Sequence, residues 1–241
     1  MTDVDIQTKY FDQAKNRYKK KLVINPPLAQ LLELSHLESE LGLANTSQLL
    51  DFGCGSGRVS LYFLSKGYNV IGVDVSKDSL KTIRHIYNLN YKKGWGKLTT
   101  FTQIPAKKRV DGIIGADILH HIDIVKTIPL FKRVLRSGGR VAFSEPNAFY
   151  PLWYLHYFLS GIPWDIEKGI LQCTRHKLLS MFANANFFKV QVTGHGLLPT
   201  RFLSWLPSLC RLNALEVGRL PLVNNFAFRF IISATSLNSR I

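Results

Sequence analysis

From Gln48 to Pro146 two hydrophobic rhythms alternate along the chain. Short runs of adjacent apolar residues read as strands buried on both faces, and longer stretches with an apolar residue every third or fourth position read as amphipathic helices. Strands are predicted at QLLDF (from Gln48), YNVIGVDV (from Tyr68), GKLTTF (from Gly96), DGIIGAD (from Asp111) and RVAFSEP (from Arg140). Helices are predicted at Arg58–Lys66, at SKDSLKTIRHIYNLN with Ser76 as its N-cap, and at Ile124–Arg136, stopped by Gly138 and Gly139. Two more, Ile6–Lys21 and Pro27–Leu41, precede the first strand. Regular alternation of strand and helix argues an α/β architecture with a parallel, doubly wound sheet.

The rhythm changes after about Ser144. NFFKVQVTG (from Asn186) and NFAFRFIISAT (from Asn225) alternate with period 2, and no crossover helix of the earlier kind lies between them. They are predicted to form a terminal antiparallel pair. Ala148–Trp164 and Gly196–Leu222 hold much of the aromatic content on segments too irregular for core strands, and are candidate lid elements.

The first strand ends in LLDFGCGSGRVS, where Asp51 runs into Gly53, Gly55 and Gly57. Glycines at that spacing permit backbone conformations and a close approach that a Cβ would block. The pyrophosphate fingerprint GxGxxG fails because Arg58 stands where its third glycine belongs, and no Gly-Lys-Ser/Thr follows to make a phosphate loop. Asp74 closes the second strand, at the spacing where a doubly wound sheet delivers a carboxylate to ribose hydroxyls. Taken singly, the triplet is a tight strand-to-helix turn and Asp74 a strand-end residue starting a turn. Together they point to a nucleoside.

LLDFGCGSGRVSLYFLSKGYNVIGVDVS, DGIIGADILHHID and LFKRVLRSGGRVAFSEPN resemble the successive motifs of the class I S-adenosylmethionine-dependent methyltransferases, and the resemblance covers most of the chain. It implies a Rossmann-like sheet of seven strands, mostly parallel, in the order 3-2-1-4-5-7-6 with the seventh antiparallel. It implies one domain: N-terminal helices in 1–45, a cofactor-binding core in 46–147, substrate-side insertions with the sixth strand in 148–224, and a terminal strand in 225–241. It also implies S-adenosyl-L-methionine as cofactor, released as S-adenosyl-L-homocysteine. Asp51, Gly53, Cys54, Gly55 and Gly57 would form the loop around its methionine and ribose, Asp74 would grip the ribose and Val75 would touch the adenine. Asp117 and Leu119 would flank it near the donor methyl. The acidic residue that such enzymes place after the third strand is missing; Gln103 or Thr102, with Ile104 as apolar neighbour, is the substitute.

The acceptor is less constrained. His121, His120 and Glu145, at the carboxyl ends of the fourth and fifth strands, are candidate proton acceptors, although adjacent histidines also cap helices and Glu145 can equally bond backbone amides. The Asp/Asn/Ser-Pro-Pro-aromatic motif of enzymes that methylate amino groups of bases or glutamine is replaced by ADILHH, which weakens a nucleic-acid base as acceptor. Asn25-Pro26-Pro27 is followed by Leu28 and reads as a helix entry. A net charge of +15 favours anionic partners, either RNA or an acidic lipid surface. Cys54, Cys173 and Cys210 form no CxxC pair, so neither a disulfide framework nor a zinc site follows, and no metal is expected. The opening residues carry acids without an apolar core, and the segment Ala148–Trp164 is interrupted by Pro151, His156, Gly161 and Pro163, so neither a leader nor a membrane span is expected. The aromatic segments suit a headgroup interface, a roof over an apolar pocket, or a homodimer contact. These features together predict a cytoplasmic methyltransferase, peripheral on the membrane, that acts at O, N or C of a small hydrophobic acceptor of quinone, polyprenyl or glycolipid type. The alternatives are an RNA-directed methyltransferase and a non-catalytic cofactor-binding assembly protein.

Overall fold

The computed structural model describes residues 9–10, 20–203, 207–210 and 224–237. Two helices, α1 (Lys20–Ile24) and α2 (Leu28–Leu41), lead into β1 (Gln48–Phe52), α3 (Arg58–Ser65), β2 (Asn69–Val73), α4 (Lys77–Asn90), β3 (Leu98–Phe101) and β4 (Val110–Ala116). A 3-10 turn at Leu119–His121 precedes α5 (Ile124–Val134) and β5 (Leu135–Pro146). Then come α6 (Leu152–Ser160), α7 (Trp164–Glu167), α8 (Arg175–Asn184), β6 (Phe187–His195), α9 (Thr200–Leu203) and β7 (Arg229–Ser236). Most of the expected opening helix Ile6–Lys21, and residues 204–206 and 211–222 of the second aromatic segment, lie outside the described residues.

One sheet runs β3-β2-β1-β4-β5-β7-β6. Strands β1 to β5 pair in parallel, and β7 is antiparallel to both of its neighbours, with Arg229 opposite Pro146 on one side and His195 on the other. This is the seven-stranded order of the class I methyltransferases. One difference from the expected elements lies at the end of α5. The helix stops at Val134 rather than Arg136, because buried Leu135 is already extended and pairs with Val110, so the glycine turn belongs to the start of β5.

The helices form where local signals agree. Ser76 caps α4, its hydroxyl accepting from the Ser79 amide at 3.2 Å, and Asp123 caps α5 through the Lys126 amide at 3.2 Å. Along α5 the buried residues Ile124, Ile128, Phe131 and Val134 fall on one stripe. Phe131 lies edge-on to Phe52, with centroids 5.1 Å apart, and stacks on Phe143 at 5.6 Å, joining helix to sheet. The opposite face of the sheet is covered by α2 and α3 through Leu34, Leu37, Leu41, Phe63 and Leu64. Candidate lid residues 148–164 are helical in their middle, as α6. Among the described residues, no helix is long and apolar enough to cross a membrane.

Phe131→Ala should cost about 3–5 kcal/mol by leaving a cavity between the Phe52 and Phe143 rings. Val125→Ala, on the exposed side of the same helix, should change stability by under about 0.5 kcal/mol. Urea unfolding of the two variants checks the contrast.

Candidate active site

Strand order reverses between β1 and β4, the position at which open α/β sheets leave a crevice beyond their carboxyl ends. A cleft of about 1630 Å³ opens there. The glycine loop after β1 is pinned from behind: the amides of Gly53 and Cys54 both donate to the Val73 carbonyl, at 2.8 and 3.0 Å. A Cβ on Gly53 would strike Ile118, and one on Gly57 would strike Ile83, so both are small for reasons of internal packing. Gly55 is different. Its φ of 50° also favours glycine, but a Cβ there would meet no protein atom within 4 Å, so the space beside this backbone is open cleft.

Asp74 sits beside that bare backbone. Its carboxylate accepts from the amides of Gly55 and Ser76, each at 2.8 Å, one on either oxygen. Carboxylate oxygens have a second lone pair, so a held Asp74 can still accept from two hydroxyls. Val75, Thr102, Gln103 and Ile104 continue the wall on this side.

Four of the expected site residues do not line the cleft. Gly57 is packed under Ile83, and Leu119 is fully buried in the core beneath β4. Asp51 turns away to the α3 side, where the Ser60 hydroxyl donates to it at 2.5 Å and its other oxygen has no partner. Burial, only partly offset by Ser60, pushes its pKa up to about 7. Glu145 accepts from the amides of Ile118 and Leu119, at 2.9 and 2.8 Å, and from His120 Nδ1 at 2.6 Å.

Asp117 does reach the cleft, in a left-handed conformation (φ 57°) uncommon for a residue with a side chain. Two arginines hold it. Arg58 Nη2 donates to one carboxylate oxygen at 2.7 Å, and Arg229 Nη2 donates to the other at 2.6 Å. Both arginines also meet Glu33 of α2, at 3.3 and 3.2 Å, and the Ser144 hydroxyl donates to Glu33 at 2.7 Å. Burial alone would raise the pKa of Asp117, but the two guanidiniums outweigh it and hold the carboxyl well below the usual range. The same balance leaves Glu33 lowered. None of Glu33, Arg58 and Arg229 stands out by motif; an arginine in the otherwise apolar run FAFRFIISAT was the one available signal.

The histidine pair divides by environment. His120 is buried with Nδ1 on Glu145 and Nε2 3.4 Å from Glu167. Burial works against its charge, yet the two carboxylates raise its pKa to about 9. An imidazolium with both N–H groups committed has no lone pair for a substrate proton. His120, Glu145 and Cys173, and likewise His120, His121 and Glu167, bring ligand atoms within 4.8 Å of one another, but the ion pairs on His120 already satisfy the carboxylates. His121 lies against His120 with ring centroids 3.9 Å apart and the rings tilted by 43°, and it lines the cleft.

Because the folded pKa of His120 lies above its unfolded value, its contribution to stability is complete below about pH 6.5 and is lost as pH rises through about 9, by on the order of 3 kcal/mol. An NMR titration of the His120 ring should show a midpoint near 9. A midpoint near the ordinary histidine value would mean that the ion pairs do not hold the proton.

A family model described as "Methyltransferase domain" matches residues 50–143. A ubiquinone biosynthesis O-methyltransferase of Nitrosomonas europaea is 27% identical over 187 residues, spanning 74% of this chain and 77% of that protein. Among solved structures, a possible histamine N-methyltransferase of Thermotoga maritima superposes with a TM-score of 0.62 at 16% identity, over 95% of this chain and 99% of that one. A geranyl diphosphate C-methyltransferase of Streptomyces coelicolor gives 0.62 at 14% identity, over 99% of each chain. Sequence match over residues 50–143, strand order and the glycine loop beside Asp74 agree: the chain has the fold of the class I S-adenosylmethionine-dependent methyltransferases and is similar to them in sequence.

Proposed function

We propose that the chain methylates a small, hydrophobic, lipid-like acceptor. The observation that carries this reading is the far wall of the cleft, where α6 turns Leu152, Trp153 and Tyr157 inward and Ile162 and Phe228 continue the apolar surface. On its other side α6 leaves Leu155, Phe158 and Leu159 bare, Phe158 at 83% and Leu159 at 72% exposure. One helix thus has an aromatic inner face on the cleft and an apolar outer face on solvent. That combination suits an acceptor drawn from a membrane surface, and the net charge of +15 favours an anionic leaflet. The quinone-pathway name of the Nitrosomonas relative and the prenyl substrate named for the Streptomyces enzyme accord with this class.

S-adenosylmethionine, when bound, supplies an activated methyl group. Gly53, Cys54 and Gly55 would cradle it, Asp74 would accept from its ribose hydroxyls, and Val75, Gln103 and Ile104 would flank its adenine. In-line transfer then needs the acceptor atom held close and water kept out, which falls to α6 and Phe228. Asp117 is too weak a base to take a proton, and His120 already carries one. Of the candidate bases His121, His120 and Glu145, His121 is the one on the cleft wall not already held in the His120–Glu145 ion pair, and it would accept a proton from an acceptor hydroxyl or amine.

Asp74→Ala should weaken S-adenosylhomocysteine binding by about 1.5–3 kcal/mol, the worth of hydrogen bonds to a charged group, and calorimetry that finds unchanged affinity would refute the ribose assignment. For the acceptor, labelled methyl should pass from S-adenosylmethionine into a total lipid extract of the source cells and not into their RNA, with Asp74→Ala as control. Label in RNA would replace the lipid reading with a nucleic-acid one. Cofactor binding with label in neither fraction, or in any other extract, would favour an assembly role.

A further inference from the structure

Gln30 lies one turn before Glu33 on α2, so the two side chains share a face of the helix. It is only 8% exposed, lines the cleft, and its Nε2 is enclosed with no hydrogen-bond partner. A buried donor left empty is costly, and the neighbouring helix positions are filled by leucine and alanine without that cost. The acids at this end of the cleft cannot serve it. Glu33 is taken by Ser144, Arg58 and Arg229, and Asp117 has one arginine on each oxygen. With no acceptor in reach among the described residues, the amide is left for a ligand in the cleft to satisfy.

The cofactor's orientation says which part of it arrives there. With its ribose on Asp74 and its middle over Gly53–Gly55, the cofactor would have its remaining end on the side of the cleft where Asp117 and Arg58 stand, and Arg58 bridges Asp117 to Glu33 on the helix that carries Gln30. That end is an amino acid with one carboxylate and one ammonium. A carboxamide offers two donors and one acceptor in a plane, complementary to both groups. The surrounding network of two acids and two arginines carries no net charge, as does the zwitterion it would face.

We propose that the side-chain amide of Gln30 binds the amino-acid end of S-adenosylmethionine, a role that rests on the Asp74 ribose assignment above. Gln30 is thus a cofactor-binding residue outside the glycine loop and both strand-end motifs. It makes the N-terminal helix part of the cofactor site.

Two ligands separate this role from a structural one. S-adenosylhomocysteine has the amino-acid end, and 5′-methylthioadenosine has the same nucleoside without it. By calorimetry, Gln30→Leu should weaken S-adenosylhomocysteine about tenfold or more and leave methylthioadenosine unchanged. The melting temperature of the ligand-free variant should be unchanged or higher, since an unsatisfied buried amide has been removed. Gln30→Glu, which keeps the shape and adds a charge repelling the ligand carboxylate, should show the same selective loss. Equal weakening of both ligands, or unchanged binding of both, would overturn the proposal. If Asp74→Ala weakens both ligands while Gln30→Leu weakens neither, the ribose assignment stands and the Gln30 role alone falls. If Asp74→Ala weakens neither, both fall.

Discussion

Four buried or half-buried charges organise this molecule around its cleft. Glu33, Arg58, Asp117 and Arg229 come from α2, α3, the end of β4 and the start of β7, and each acid meets both arginines. Unpaired, any one of them would be strongly destabilising at that depth; together they neutralise one another. The arrangement fixes the position of the N-terminal helix over the sheet, and it holds Asp117 in a backbone conformation that a side chain disfavours. The floor of the cleft is therefore set by a closed set of ion pairs rather than by any one loop.

What could be read from the sequence followed the range of the signal. Strands, most helix ends, the glycine loop and Asp74 rest on residues close together in the chain, and the structure has them where local pattern placed them. The strand order did not come from local pattern; it came with the family resemblance. The charge network escaped because Asp117 and Arg229 are 112 residues apart and Arg58 and Glu33 are 25 apart, each on an element that looks ordinary by itself. Glu145 and His120 were legible as chemistry but not as a pair. Only the fold brings the glutamate on β5 to 2.6 Å from the imidazole, which turns two candidate bases into one ion pair.

The three glycines after β1 show how a single motif can hold two kinds of constraint. All three have a positive φ that favours glycine, but Gly53 and Gly57 are also closed in by Ile118 and Ile83, whereas Gly55 faces open space. A motif of this form thus mixes folding with function, and only the surroundings of each position separate them. Asp51 illustrates the reverse: it stands within the motif yet belongs to the packing of α3 behind the loop.

The last strand gives the order of events during synthesis some weight. Strands β1 to β5 can pair among themselves, but Arg229 begins β7, which is inserted between β5 and β6. Until it docks, the ion pairs described for Glu33 and Asp117 are reduced to those with Arg58, so that among these residues two acids face one arginine. A nascent chain with its nucleoside-binding half already folded would therefore still hold an unfinished site. The ion-pair set beneath the cleft is complete only when β7 has paired with β5, so the charge balance of the site and the closure of the sheet depend on the same strand.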